Sequence, residues 1–332
     1  MDLRIAPIVL LLFTAPLGAQ VFAGQAGAER GEVAAVITEM RIGRGQVEVR
    51  TAGTPEWRAA APLLSLYAGD ELRATDNAWA VVLLSRGRGT TKVEAASSPF
   101  VIPGAPPNDN RLQKLRAILE GILDYLSSAG KDFPQADLAV RGGPKPPVIV
   151  TPRNTRILPD SLAFEWLGSR FGRYTIRIAA PSGIVLERPD QTGGKFNYPA
   201  NAPPLIPGVR YAFQVQSTGH PAQEVWFELI DAGRAQSLRQ DLMELDQTLG
   251  STTSPNSIAA MKVAFLARDG LLHDARLAVV AALAKDPDEP SLHLLLGNLY
   301  AKLGLPELAA DSYDEAGFLA APAERQRGQP SR

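Results

Sequence analysis

The chain contains no cysteine. That excludes structural disulfides, thiolate metal sites, cysteine nucleophiles and the acylated cysteine of a lipoprotein anchor. Histidine is scarce, with three in 332 residues. His220 precedes a proline, and His273 and His293 fall on separate helical stretches, so no His-x-x-x-His or His-Glu-x-x-His pair is present to hold zinc. Charge of one sign is also lacking: 34 basic residues face 35 acidic ones, for a net charge of −1. A protein that neutralises many phosphates needs a basic surplus, so the balance argues against a nucleic-acid partner. After the N-terminus there is no uninterrupted apolar run of about 18 residues, and no membrane span is expected in the mature chain.

The N-terminus itself reads as an export signal over residues 1–23. Arg4 precedes the apolar run Ile5–Ala15, which at about ten residues is too short to cross a bilayer, and small-residue sites follow at Val21-Phe22-Ala23 and Leu17-Gly18-Ala19. Cleavage after Ala23 is expected, because Leu17 is bulky for the position three before a cut. A periplasmic or secreted location follows, and the missing cysteines then suit an exported chain that avoids mispairing.

The rest divides by periodicity. Over residues 33–103, Val47 and Val49 alternate with Gln46, Glu48 and Arg50, and Gly43-Arg44-Gly45, Gly53-Thr54-Pro55, Asp76-Asn77 and Gly87-Arg88-Gly89 punctuate the runs as turns, which predicts a small all-β module. Residues 109–130 switch to a helical period, with Leu112, Leu115, Leu119, Ile122, Leu123 and Leu126 on one stripe, Asp109 or Asn110 as cap and Gly130 as stop. Such a stripe is expected to dock on the β-module, or otherwise on a partner or a second copy. Residues 131–147 form a linker that ends in Gly142-Gly143-Pro144-Lys145-Pro146-Pro147. Within 148–231, period-2 runs at Leu162/Phe164/Trp166, Tyr174/Ile176/Ile178, Phe196/Tyr198, Tyr211/Phe213/Val215 and Val225/Phe227/Leu229 predict a β-sandwich. Residues 232–323 read as helices, and 324–332 as a polar tail.

Three resemblances sharpen this outline. Gly45-x-Val47-x-Val49, Trp57, Leu66-x-x-Gly69-Asp70-x-Leu72 and Asn77-Ala78-x-Ala80-Val81-Val82-Leu83-Leu84 resemble, in that order, the FecR-type domain of bacterial envelope proteins. FecR-type signal regulators carry a cytoplasmic segment and a membrane helix before this domain. Here the domain follows the signal directly, so control of a cytoplasmic sigma factor is not expected. Leu205-Ile206-Pro207-Gly208-Val209-Arg210-Tyr211 resembles the turn into a late strand of fibronectin type III domains, which implies that the Tyr211 hydroxyl bonds back to the backbone. Ala309, Tyr313 and Ala316 stand 34 residues after Ala275, Val279 and Ala282, and with Leu296-Gly297 and Tyr300 they resemble tetratricopeptide repeats. The first copy departs from that pattern at Val263 and Leu266. Two repeats are few for a free-standing array, so the leucines at 238, 242, 245 and 249 are expected to pack a capping helix on the first pair.

The expected fold class is therefore multidomain α+β: a FecR-like β-module, a connector helix, a fibronectin type III or immunoglobulin-like sandwich and a C-terminal tetratricopeptide-type array. No catalytic motif emerges. Gly-x-Ser-x-Gly is missing, Ser85–Lys92 lacks the glycine a phosphate loop places before its lysine, and Asp286-Pro287-Asp288-Glu289 reads as an inter-repeat turn in which Asp caps the next helix. No cofactor or metal is expected. In tetratricopeptide repeats the first helix of each pair lines a groove, and the resemblance implies Arg268, Asn298 and Lys302 as partner-binding residues there. The function expected is that of a non-enzymatic scaffold binding a protein of the envelope, through the groove or the FecR-like module. The alternative is a binding module for an envelope glycan or other extracellular ligand through the β domains, and self-association as a homo-oligomer is left open.

Overall fold

Turn chemistry and alternation build the first module. In the computed structural model, which describes residues 31–104, 113–131, 147–160, 162–250 and 253–321, it has eight strands: β1 (Ala35–Arg41), β2 (Val47–Arg50), β3 (Trp57–Ala59), β4 (Ser65–Leu66), β5 (Glu71–Ala74), β6 (Trp79–Leu84), β7 (Thr90–Glu94) and β8 (Phe100–Val101). The expected signal (1–23), the cap at Asp109 or Asn110, Leu112, most of the 131–147 linker and the 324–332 tail lie outside the described residues. The strands form two antiparallel sheets, ordered β4-β1-β6-β7 and β3-β2-β5-β8, that share one apolar core. Gly69 adopts a left-handed φ of 85°, which lets the chain turn so that Leu66 and Leu72 both enter that core. Asp70 locks the turn by accepting the amides of Ala52 and Tyr67, each at 2.9 Å.

One irregularity in β1 shapes the whole protein. Ile37 pairs with Val82 and Glu39 with Val81, so Thr38 is an extra, bulged residue. A bulge breaks strict alternation and re-aims side chains. Ile37 and Met40 point into the module core, whereas Thr38 and Glu39 both reach the helical array. Val36 also leaves the module core and joins the apolar cluster of the helices.

Helix α1 (Gln113–Ala129) follows. The second module carries β9 (Val148–Thr151), β10 (Thr155–Ile157), β11 (Ala163–Leu167), β12 (Tyr174–Ala180), β13 (Gly183–Gln191), β14 (Lys195–Asn197), β15 (Arg210–Ser217) and β16 (Gln223–Leu229). Sheets of order β10-β16-β15-β12-β13 and β14-β11-β9 close on a core of Phe164, Phe213, Phe227, Trp166 and their aliphatic neighbours. All pairings here are antiparallel except β10 with β16, which is parallel. The Tyr211 hydroxyl accepts the amide of Ile206 at 2.7 Å. The period-2 runs leave out β9, β10 and β13. β13 is an edge strand with mostly exposed residues and contains Pro189, so it has no clean apolar alternation to read.

Five helices complete the chain: α2 (Ala232–Leu249), α3 (Pro255–Arg268), α4 (Leu272–Leu283), α5 (Pro290–Lys302) and α6 (Pro306–Leu319). Asp231 caps α2 and Ser254 caps α3, while proline occupies the first turn of α3, α5 and α6. The cap of α5 is Glu289, which accepts the Ser291 amide at 3.1 Å, rather than an aspartate of the turn. Asp286 is engaged elsewhere, by Arg41 and Asn256. α3 packs on α4 and α5 on α6. Gly297 is needed at the second contact because a Cβ there would overlap the Tyr313 ring. α2 lies against α3 with Leu238, Leu245 and Leu249 buried.

The fold is thus α+β; two apolar clusters stay within the β-modules, and the third crosses module boundaries. The largest joins α1, Val36, Leu63 and Leu83 of the first module, Val150 of the second, and the helices of the array. All described residues fall in one unit, Gly31–Arg332. No described helix is long and apolar enough to cross a membrane.

Candidate functional site

The face formed by α3 and α5 is the surface on which the groove residues were placed, and α1 lies on it. Ile118, Leu119, Ile122, Leu123 and Leu126 of α1 are buried in the cluster that also holds Val263, Ala264, Leu295 and Leu299. The connector helix therefore packs on the array as well as on β1, because its stripe and theirs bury each other's apolar surface.

Each of the three predicted partner-binding residues meets α1. Arg268 lies against Gly121, where a Cβ would collide with the guanidinium. Lys302 holds its ammonium 4.4 Å from the Tyr125 ring centroid and 3.4 Å from its hydroxyl. Asn298 is buried, donates to the Ala129 carbonyl at 2.9 Å and accepts from the Tyr313 hydroxyl at 2.8 Å. Residues 121, 125 and 129 are four apart and so form one line along a helix. The predicted residues thus converge on a single helical segment, and it belongs to the same chain. A separate polypeptide would reach the buried Asn298 only by replacing α1, whereas Arg268 and Lys302 stay exposed beside that helix.

A polar junction that sequence reasoning missed joins β1 to the array. Thr38 Oγ1 and Ser257 Oγ are 2.9 Å apart. Glu39 accepts hydrogen bonds from Ser254 and Ser257, and Asn256 bridges toward Asp286 at 2.6 Å. Arg41 pairs with Asp286 and donates to the Asp288 carbonyl at 2.6 Å. The centre is Glu289, fully buried, whose Oε1 accepts the Met40 amide at 3.3 Å. Burial, and then the neighbouring Glu39, push its pKa up to about 8. Glu289 is consequently a neutral acid at pH 7. Only the bulge at Thr38 brings Glu39 here, and a bulge has no sequence signature.

A second junction ties the middle module to the array. Thr151 Oγ1 meets His273 Nδ1 at 2.6 Å, Asp274 accepts the Leu158 amide at 3.0 Å, and Thr155 donates to the Gly270 carbonyl at 2.9 Å. Arg276 pairs with Glu165 at 2.8 Å, their side chains 8% and 18% exposed. Burial raises the Glu165 pKa, but Arg276 and Lys195 outweigh it and hold the carboxyl below its ordinary value. His273 is therefore an interface residue, not a ligand paired with His293, whose Nε2 lies 2.7 Å from the Pro287 carbonyl oxygen.

Among the described residues no group of three or more His, Cys, Asp or Glu could hold a metal ion. Glu39 and the Oε1 of Glu289 accept hydrogen bonds across the junction, while the buried Oε2 of Glu289 has no partner among the described residues. No protein-family model matches the chain, and the curated proteins contain no match to it.

Proposed function

We propose that this chain is an exported, non-enzymatic scaffold of the cell envelope, in which FecR-like and fibronectin type III-like modules are braced on a tetratricopeptide-like array and hold a partner protein. In this reading the array is a keystone: its inner face carries α1 and β1, and the protein-binding surface is the outer face of the FecR-like module. The observation that carries it is Trp57. The guanidiniums of Arg50 and Arg73 lie over its ring, 4.8 and 4.1 Å from the centroid. Those arginines are fixed by Glu71 at 2.6 Å and Glu48 at 2.7 Å.

Tryptophan and arginine dominate the energetics of protein interfaces because each offers a large contact area with a polar handle. Here both are pre-ordered on a partly exposed sheet face, which lowers the entropy lost on docking. A signal-type N-terminus supports export, and the buried junctions support a rigid frame rather than loosely tethered domains.

The test places a photo-crosslinking residue at Ala59, which is exposed on β3 beside this patch, in the source organism. The expected result is a discrete protein adduct that disappears when Trp57→Ala is added while the chain remains folded and exported. An exported, folded chain that forms no adduct from position 59 contradicts the reading.

A further inference from the structure

The middle module ends in a loop that holds a large aromatic in solvent. Residues 168–173 pass from β11 in one sheet to β12 in the other. Tyr174 is buried, and its hydroxyl donates to the Ser169 carbonyl at 2.9 Å. The amide of Gly172 donates to the same carbonyl at 2.9 Å, and the amide of Phe171 to Ser169 Oγ at 3.3 Å. Gly168 and Gly172 are pressed so closely on the Tyr174 hydroxyl that a Cβ at either would overlap it. The loop is thereby clamped around a tyrosine, and what it presents is Phe171, 90% exposed. A loop that is merely a connection gains nothing from fixing a phenylalanine in water.

Beside it lies a cleft of about 600 Å³ lined by Arg173, Thr175, Asp190, Gln216, Thr218 and His220. Arg173 and Phe171 are two residues apart, so their Cα atoms are within about 7 Å. The lining mixes donors and acceptors: a guanidinium, a carboxylate, an amide, several hydroxyls and an imidazole. Arg173 and Asp190 approach to only 3.5 Å with side chains 72% and 71% exposed, a loose pair that a ligand can part at little cost. The cleft itself carries one fixed cation and one fixed anion. That balance does not fit a phosphate-rich ligand, which selects for clustered basic residues. Arg170 adds a second cation to the loop beside Phe171, so an anionic bilayer is a separate arm of the test below.

A ligand that matches both features must be rich in groups that donate and accept hydrogen bonds, and must have an apolar C–H face for the negative face of an aromatic ring. Saccharides have both. We propose that this end of the middle module is a saccharide-binding site, with Phe171 as the stacking platform and Arg173, Asp190 and Gln216 as the hydroxyl-reading groups. The site stands apart from the Trp57 patch and does not depend on the protein-scaffold reading.

The experiment is titration calorimetry of the full mature chain with maltotriose, cellotriose, tri-N-acetylchitotriose and trigalacturonic acid, together with amide-resonance mapping. Phe171→Ala and Asp190→Asn are the test variants. Asp190 has a left-handed φ of 55°, which asparagine also tolerates, so the backbone is kept. The proposal expects at least one of these oligosaccharides to bind, to shift resonances within 168–175 and 216–220, and to bind at least tenfold more weakly in each variant at unchanged thermal stability. It is overturned if none of the four binds, if binding is unaffected by both variants, or if Phe171 instead mediates retention on phosphatidylglycerol vesicles without any saccharide response.

Discussion

Asn298 of α5 donates its side-chain amide to the Ala129 carbonyl, 2.9 Å away at the C-terminal end of α1. The last carbonyls of a helix have no partner within it, so Asn298 acts as a cap supplied from another element. The same side chain accepts the Tyr313 hydroxyl at 2.8 Å, which couples α1, α5 and α6 through one residue. Asn298→Ala removes both bonds in a buried site and is expected to cost roughly 1–3 kcal/mol. Urea unfolding of the variant checks this. A loss below about 0.5 kcal/mol would mean that α1 is not held there.

Glu289 predicts a pH dependence. Its ordinary pKa of 4.5 applies in the unfolded chain, and about 8 in the fold. Below pH 4.5 both states keep the proton. Between those values only the folded state keeps it, so stability falls as pH rises, and above pH 8 the penalty is constant. Glu289→Gln keeps the acceptor for the Met40 and Ser291 amides and removes the titration. It is expected to stabilise the chain by an amount that grows from pH 5 to 8, reaching on the order of a few kcal/mol. Thermal melts of both proteins across that range test it, and parallel curves contradict it.

Gly297→Ala sets two effects against each other. Alanine improves helix propensity by about 1 kcal/mol. Its Cβ, however, would overlap the Tyr313 ring, and that ring is pinned by Asn298. Overpacking a fixed contact costs about 1–3 kcal/mol, so a net loss is expected in calorimetric melting, and a gain would show that the α5–α6 contact is looser than described.

Arg276 is buried and Glu165 half-buried at the junction between the middle module and the array. Removing the arginine leaves a partly desolvated carboxylate, and Arg276→Ala is expected to cost about 1–3 kcal/mol. Replacing both residues with apolar ones of similar size should recover much of that loss. Lys195, the second cation on Glu165, is 80% exposed, so water screens it and it offsets only part of the loss. Chemical denaturation of the single and double variants separates these outcomes.

Individual elements were legible in the sequence and their docking was not. Apolar alternation marks β12, β15 and β16, the three- and four-residue steps of Leu119, Ile122, Leu123 and Leu126 mark α1, and the 34-residue register of Ala309 and Ala316 marks the helix pairs. Each is a local pattern. Where α1 docks depends on which apolar face is nearest in space, and a stripe does not name its partner. The tetratricopeptide resemblance implies the groove residues, and all three meet α1 of the same chain: Asn298 and Lys302 through polar contacts with Ala129 and Tyr125, and Arg268 by lying against Gly121. Glu39 carries no signal at all, since only the bulge at Thr38 turns it toward Ser254 and Ser257.

The central claim is that α1 is a fixed part of the array's face, which joins the modules into one frame. Native-state hydrogen exchange of the mature chain tests it most directly, because it reports the free energy of opening at each amide. The account predicts that the amides of residues 118–129 are protected to the same depth as those of α3 and α5, and that Asn298→Ala lowers all three together. Rapid exchange across 118–129 beneath a well-protected α3 and α5 would contradict it.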